Sequence, residues 1–218
     1  MVLMVVIFKS SYLTYRLKKR ILTKKLKNFL KTYFCVYDIV MILLVGASAS
    51  GKTEIAKFLF RRYGMVKAIT HTTRPIRPSE TKDVDYHFVS IDEFLELKEK
   101  GALVESTFYN GNYYGCSKAE CGDDKCIILD PSGIASFLSL GNPHIITFFL
   151  RTTKATRQAR MRLRGDDEAS IQKRLQNDDK TFDEANLPHI DYIIDADEES
   201  VEYLGELIYS LYQKRIAD

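Results

Sequence analysis

The chain is poor in the residues that build metal centres, and it has no hydrophobic run long enough to cross a bilayer. Four cysteines (Cys35, Cys116, Cys121, Cys126) and four scattered histidines (His71, His87, His144, His189) match no zinc spacing and no nucleophile–base triad. So few cysteines also argue against a disulfide framework and fit a reducing, cytoplasmic setting. Met1–Phe8 is apolar but too short to span a membrane, and its positive charge follows rather than precedes it, the wrong order for a secretory signal. Repeats and low-complexity linkers are missing too.

Acidic residues are nearly missing from the first forty positions, which hold nine Lys or Arg against Asp38 alone. That is a net of +8, which against +3 for the whole chain leaves −5 for residues 41–218. A body of that charge is unsuited to nucleic acid, whose binding rests on neutralising phosphates, and no membrane contact is expected of it. In residues 15–34, Leu17, Ile21, Leu22, Leu26, Phe29, Leu30 and Phe34 recur among lysines, a basic amphipathic pattern. Two readings of residues 1–40 stand: a targeting or membrane-surface segment, or a mis-called start upstream of Met41. The second is favoured because the loop described next follows its first strand closely.

The strongest positive signal is Gly46-Ala47-Ser48-Ala49-Ser50-Gly51-Lys52-Thr53, a complete G-x-x-x-x-G-K-[ST] pattern between apolar Met41–Val45 and a helical run from Glu54. In such a P-loop, backbone N–H groups wrap a phosphate and the following helix N-terminus adds positive potential. Lys52 would reach the β- and γ-phosphates of ATP, and the Thr53 hydroxyl would hold Mg²⁺.

Strands are predicted at 41–45, 67–70, 126–130, 145–150 and 192–194. Helices are predicted at 52–62, 132–140, 153–164 and 198–215, with a further one near 92–100. Strands alternating with helices imply an α/β fold of the P-loop NTPase kind, a parallel sheet flanked by helices with ligand at the strands' carboxyl ends. Residues 74–117 and the arginine-dense stretch 154–176, broken at Arg164-Gly165-Asp166-Asp167, interrupt the alternation. They read as an acceptor-binding insertion and a lid.

Residues 70–89, Thr-His-Thr-Thr-Arg-Pro-Ile-Arg-Pro-Ser-Glu-Thr-Lys-Asp-Val-Asp-Tyr-His-Phe-Val, closely resemble the acceptor-binding segment of guanylate kinases. The resemblance continues at Glu105 and Asn112-Tyr-Tyr-Gly115 and covers about residues 41–216. It implies that Arg74, Arg77, Tyr86 and Tyr114 bind the GMP phosphate, that Thr70 adds a hydroxyl, and that Glu105 accepts from the guanine N–H groups. Arg162 and Arg174 align with lid arginines that clamp the transferred phosphoryl group. Arg157, Arg160 and Arg164 are read as a solvated face or accessory contacts. Asp130, ending an apolar strand, is expected to help hold Mg²⁺, with a turn-starting role before Pro131-Ser-Gly133 as the alternative.

Departures accompany the match. Cys116 stands where the family has a hydroxyl touching the guanine carbonyl, and a thiol is a weak donor. Asp166 follows the lid glycine where an arginine is usual, and Asp195 replaces an asparagine. The expected activity is phosphorylation of GMP and dGMP by ATP with Mg²⁺. The alternatives are a noncatalytic guanylate-kinase-like binding module, against which the intact P-loop speaks, and a P-loop kinase for another small phosphorylated acceptor.

Overall fold

A computed structural model describes residues 40–77, 80–109, 111–142 and 144–217. The expectations for the basic N-terminal segment lie outside the described residues. In chain order the elements are β1 (Met41–Val45), α1 (Lys52–Tyr63), β2 (Val66–Lys67), β3 (His71–Thr72), β4 (His87–Phe88), α2 (Ile91–Glu99), β5 (Leu103–Tyr109) and β6 (Asn112–Ser117). They continue with β7 (Lys125–Ile128), α3 (Pro131–Leu138), β8 (Ile145–Arg151), α4 (Lys154–Leu163), α5 (Glu168–Thr181), β9 (Tyr192–Asp195) and α6 (Val201–Ala217).

Five apolar residues in a row suit a strand covered on both faces, and all five residues of β1 are fully buried. The strand lies at the middle of a five-stranded sheet of order β2-β7-β1-β8-β9, with every neighbouring pair parallel. Its side chains alternate between two cores. Ile42 and Leu44 pack with Ile55 and Leu59 of α1 and with Leu204, Ile208 and Tyr212 of α6. Met41, Leu43 and Val45 pack on the other face with Ile134 and Phe137 of α3. Helices therefore cover both faces, as the alternation implies. The approach of α6 to α1 depends on Gly205, where a Cβ would lie 2.2 Å from the Phe58 ring.

A second sheet of order β4-β3-β6-β5 joins β3 to the segment that interrupts the alternation, with β6 antiparallel to both β3 and β5. Of the predicted strand at 67–70 only the start lies in the main sheet, and the chain then crosses to the second. Ala68 N–H still bonds Cys126 O in the main sheet at 2.7 Å, whereas His71 and Thr72 pair with Gly115 and Tyr114 in the second. The last helix begins at Val201 rather than at 198, because Ser200 caps it by accepting from Tyr203 N–H at 3.1 Å. Beyond the lid break, α5 runs to Thr181, past the expected lid boundary. No helix of the described residues is long and apolar enough to cross a membrane.

Candidate active site

The P-loop leaves β1 at the carboxyl edge of the sheet and turns into α1. Gly46 has φ 151°, Ala49 φ 62° and Gly51 φ 103°. At Gly46 a Cβ would come within 2.7 Å of Leu150 O and 2.8 Å of Ser50 Oγ, so glycine is what lets the loop start tight against β8. Ala49 adopts the left-handed conformation with a side chain, at a cost of roughly 1–2 kcal/mol. Its methyl is placed against Met161, Ile171 and Leu175, a small core between α4 and α5.

Side chains of Ser90, Asp130, Thr153 and Asp167 cap α2, α3, α4 and α5, but α1 starts at Gly51 with no side-chain cap. Its first N–H groups are thereby left for an anion. The Lys52 ammonium is folded against the loop, donating to Gly46 O (2.6 Å), Ala47 O (2.7 Å) and Ser50 Oγ (3.2 Å). Burial lowers its pKa to about 8, with Asp178 opposing and Arg157 reinforcing the shift.

Loop residues Ser48 and Ala49 line an open cleft of about 430 Å³ together with Arg74, Arg77 and Tyr114 from the second sheet and its approach, and Arg164, Lys173 and Arg174 from the lid. Four guanidiniums and an ammonium around one cleft make a site for phosphate rather than for an apolar ligand. Arg74 is held ready there. Its Nη1 and Nη2 donate to the two carboxylate oxygens of Glu80 at 2.9 and 2.7 Å, and it stacks 5.3 Å from the Tyr86 ring centroid. Tyr86 and Tyr114 meet edge to face at 6.3 Å, and burial raises the Tyr86 pKa above that of a free phenol. Thr70 lies where the chain passes between the sheets, its carbonyl accepting from His87 N–H at 2.9 Å.

Glu105 is buried, at 6% exposure, on β5. Burial first, and then the Asp130 charge, push its carboxyl up to about 7. Asp130 thus lies near enough to Glu105 to act on its charge. Its Oδ1 accepts from Gly133 N–H and Ser132 Oγ, each at 2.8 Å, which makes it the N-cap of α3. The carboxylate thus takes the turn-starting role that stood as its alternative reading, capping a helix beside Glu105. The Cys116 thiol is turned to Ser117 O at 3.6 Å and Cys121 Sγ at 4.0 Å.

The lid differs from expectation in which arginines it points inward. Arg162 does not join the cleft: it is exposed and donates to both oxygens of Glu168, the first residue of α5, each at 3.0 Å. Arg174 does reach the cleft, as does Arg164, and the two share Asp166, to which Arg174 Nη1 donates at 2.7 Å. Asp195 forms a two-pronged pair with Arg151.

Two of the arginines read as a solvated face or accessory contacts turn inward. Arg157 is 5% exposed and paired with Asp178, and Arg160 donates to Ala49 O (3.3 Å) and Ala196 O (2.8 Å), stapling the P-loop to the end of β9. The available signal was their spacing: they stand one turn apart beside Met161, on the face of α4 that packs inward.

Comparison with known proteins agrees with this geometry. The family model described as guanylate kinase matches residues 38–211. A guanylate kinase of Syntrophus aciditrophicus (strain SB) is 35% identical over 184 residues, 80% of this chain and 87% of that protein. One from Synechococcus sp. (strain JA-3-3Ab) is 34% identical over 180 residues, 78% and 82% of the two chains. The crystal structure of guanylate kinase from Anaplasma phagocytophilum shares the fold, with a TM-score of 0.60 at 19% identity over 84% of this chain and 88% of that one. With the match running from before β1 into the last helix, the chain belongs to the guanylate kinase family, enzymes of the phosphotransferase class.

Proposed function

We propose that this chain transfers the γ-phosphoryl group of ATP to GMP, and also to dGMP, giving ADP and the nucleoside diphosphate. The observation that carries the reading is the single cleft shared by P-loop residues Ser48 and Ala49, acceptor-side Arg74, Arg77 and Tyr114, and lid residues Arg164 and Arg174. Donor phosphates and acceptor phosphate are thereby directed to one volume, which in-line transfer requires.

The P-loop N–H groups and Lys52 hold the donor phosphates. Arg74, Arg77 and the two tyrosines hold the acceptor phosphate, and Arg164 and Arg174 neutralise charge on the phosphoryl group in flight once released from Asp166. Glu105 accepts from the guanine ring and amino N–H groups, an edge that adenine lacks. Asp130 adds a second carboxylate at that end. dGMP offers the same guanine edge and phosphate to these groups and is taken as an acceptor on that ground.

Mg²⁺ fits this donor set as a phosphate-bound ion. No cluster of three or more His, Cys, Asp or Glu side chains able to hold a metal occurs among the described residues. Thr53 would be its protein ligand, the rest being phosphate oxygens and water, the mixed shell that Mg²⁺ favours. Bound there, it supplies charge neutralisation across the phosphates.

The test is ADP release measured with GMP, dGMP, AMP, CMP and UMP as acceptors, with and without Mg²⁺. GMP and dGMP should be turned over far above the others, and only with the ion. A preference for AMP would keep the kinase class and overturn the guanine assignment. Absence of turnover with all five would favour the binding-module reading.

A further inference from the structure

Asp178, on α5, is 1% exposed, yet it touches three separate parts of the protein. Its Oδ2 accepts from the Ser48 N–H of the P-loop at 2.8 Å and from Arg157 Nη1 of α4 at 3.1 Å. Its Oδ1 lies 3.5 Å from the Tyr109 hydroxyl at the end of β5. Arg157 is held in turn by Asp179 at 3.2 Å, which Lys154 contacts at 2.6 Å.

A buried ion pair between two helices is poor evidence of stabilisation, since well-packed apolar residues serve as well or better. The ionic pair adds something an apolar pair would not, a fixed acceptor aimed at a backbone N–H of the P-loop. The next residue, Ala49, is held from the other side by Arg160 through its carbonyl. Two consecutive residues of the loop are therefore anchored by the two lid helices, Ser48 through its N–H and Ala49 through its carbonyl.

We propose that Asp178 is a positioning residue for nucleotide binding: by gripping Ser48 N–H and Arg157 together, it holds the P-loop in its phosphate-receiving shape and ties the root of the lid to it. The proposal rests on the kinase reading, in that the P-loop is taken to receive ATP. Lys52 adds a second consequence. Its charged neighbours are Asp178 from α5 and Arg157 from α4, of opposite effect. Removing only the anion leaves the cation, and Lys52 should then lose its proton at lower pH.

Two variants test this in the full chain. D178A/R157L replaces the ion pair by an apolar one. It should unfold within a few degrees of wild type, bind ATP about tenfold more weakly by calorimetry, and bind GMP within about twofold of wild type. D178N keeps an oxygen for Ser48 N–H, so it should recover most of the ATP affinity. The alkaline limb of its kcat/KM for ATP should move to lower pH. The proposal is overturned if the folded double variant binds ATP like wild type, or if ATP and GMP affinity fall together with thermal stability, as a purely structural role would give. A wild-type protein that binds no ATP would sink the kinase reading and this proposal with it. Normal ATP binding by wild type and the double variant alike would sink the proposal alone.

Discussion

Glu105 lies directly across the β5–β6 ladder from Cys116, so the two side chains share one face of the second sheet. A hydrogen bond from the Cys116 main chain favours the ionised form of Glu105, but burial and the Asp130 charge outweigh it and hold the carboxyl at about 7. A pKa raised from 4.5 means that the folded state keeps a proton that the unfolded state gives up. The associated stability is present below about pH 4.5 and lost as pH rises through 7, some ~3 kcal/mol across that window. Function runs the other way, because an ionised carboxylate accepts two N–H donors better than a neutral acid. We expect kcat/KM for GMP to rise along an acid limb near pH 7, and kcat/KM for ATP to fall above about pH 8 as Lys52 deprotonates. In Glu105→Gln the acid limb should vanish and the pH-dependent loss of stability should flatten. An unchanged GMP profile in that variant would remove Glu105 from base recognition.

Cys116→Ser is expected to improve use of GMP. A hydroxyl donates to a carbonyl where a thiol does so weakly, and one neutral hydrogen bond of about 1 kcal/mol corresponds to roughly fivefold in kcat/KM. Steady-state kinetics with GMP decide it. If the serine variant matches wild type, the guanine carbonyl is not read from this position.

Lys52→Ala should lower kcat by a hundredfold or more through lost charge stabilisation at the transition state. The same ammonium also props the loop through the carbonyls of Gly46 and Ala47. A modest stability loss of about 1 kcal/mol should therefore accompany the kinetic one. Circular dichroism and thermal melting separate the two. A folded variant with near-normal turnover would exclude Lys52 from the chemistry.

At Ala49 two effects oppose each other. Glycine would relieve the strain of φ 62°, yet it would remove the methyl packed on Met161, Ile171 and Leu175 and raise unfolded-state entropy. Strain relief of roughly 1–2 kcal/mol stands against about 1 kcal/mol each for the lost methyl and the unfolded-state entropy, so Ala49→Gly should cost no more than about 1 kcal/mol. Ala49→Val has no such compensation, because a β-branched residue is an outlier in this conformation. It should cost more than about 2 kcal/mol, or roughly 4 °C or more in Tm for a chain of this size. Equal melting temperatures for the valine variant and wild type would refute the strain argument.

The parts of this site that a reader can find in the sequence are those whose chemistry is local. Strand, loop and helix around Lys52 announce themselves within twenty residues, and Arg74, Arg77 and Tyr86 come as one continuous segment. Asp130 was visible but ambiguous: an acid ending an apolar strand and an acid before Pro-Ser-Gly look alike until the fold shows what it faces. The direction of Arg162 depends on Glu168 across the lid break, six residues on. The Arg157–Asp178 pair was out of reach, because its members lie 21 positions apart on different helices and each alone resembles a solvated charge. The split of residues 66–72 between two sheets has the same origin, since strand propensity does not say which partner a strand will find.

The central position of β1 has a consequence during synthesis. Its partners, β7 and β8, begin at Lys125 and Ile145, so five residues that end up fully buried leave the ribosome some eighty positions before either neighbour exists. At about 5–20 residues per second this stretch waits on the order of 4–16 seconds, with its apolar side chains and backbone groups unpaired. Newly made chains should therefore be most vulnerable to aggregation and most in need of chaperone cover while the second sheet is emerging, a window set by strand order rather than by the stability of the finished enzyme.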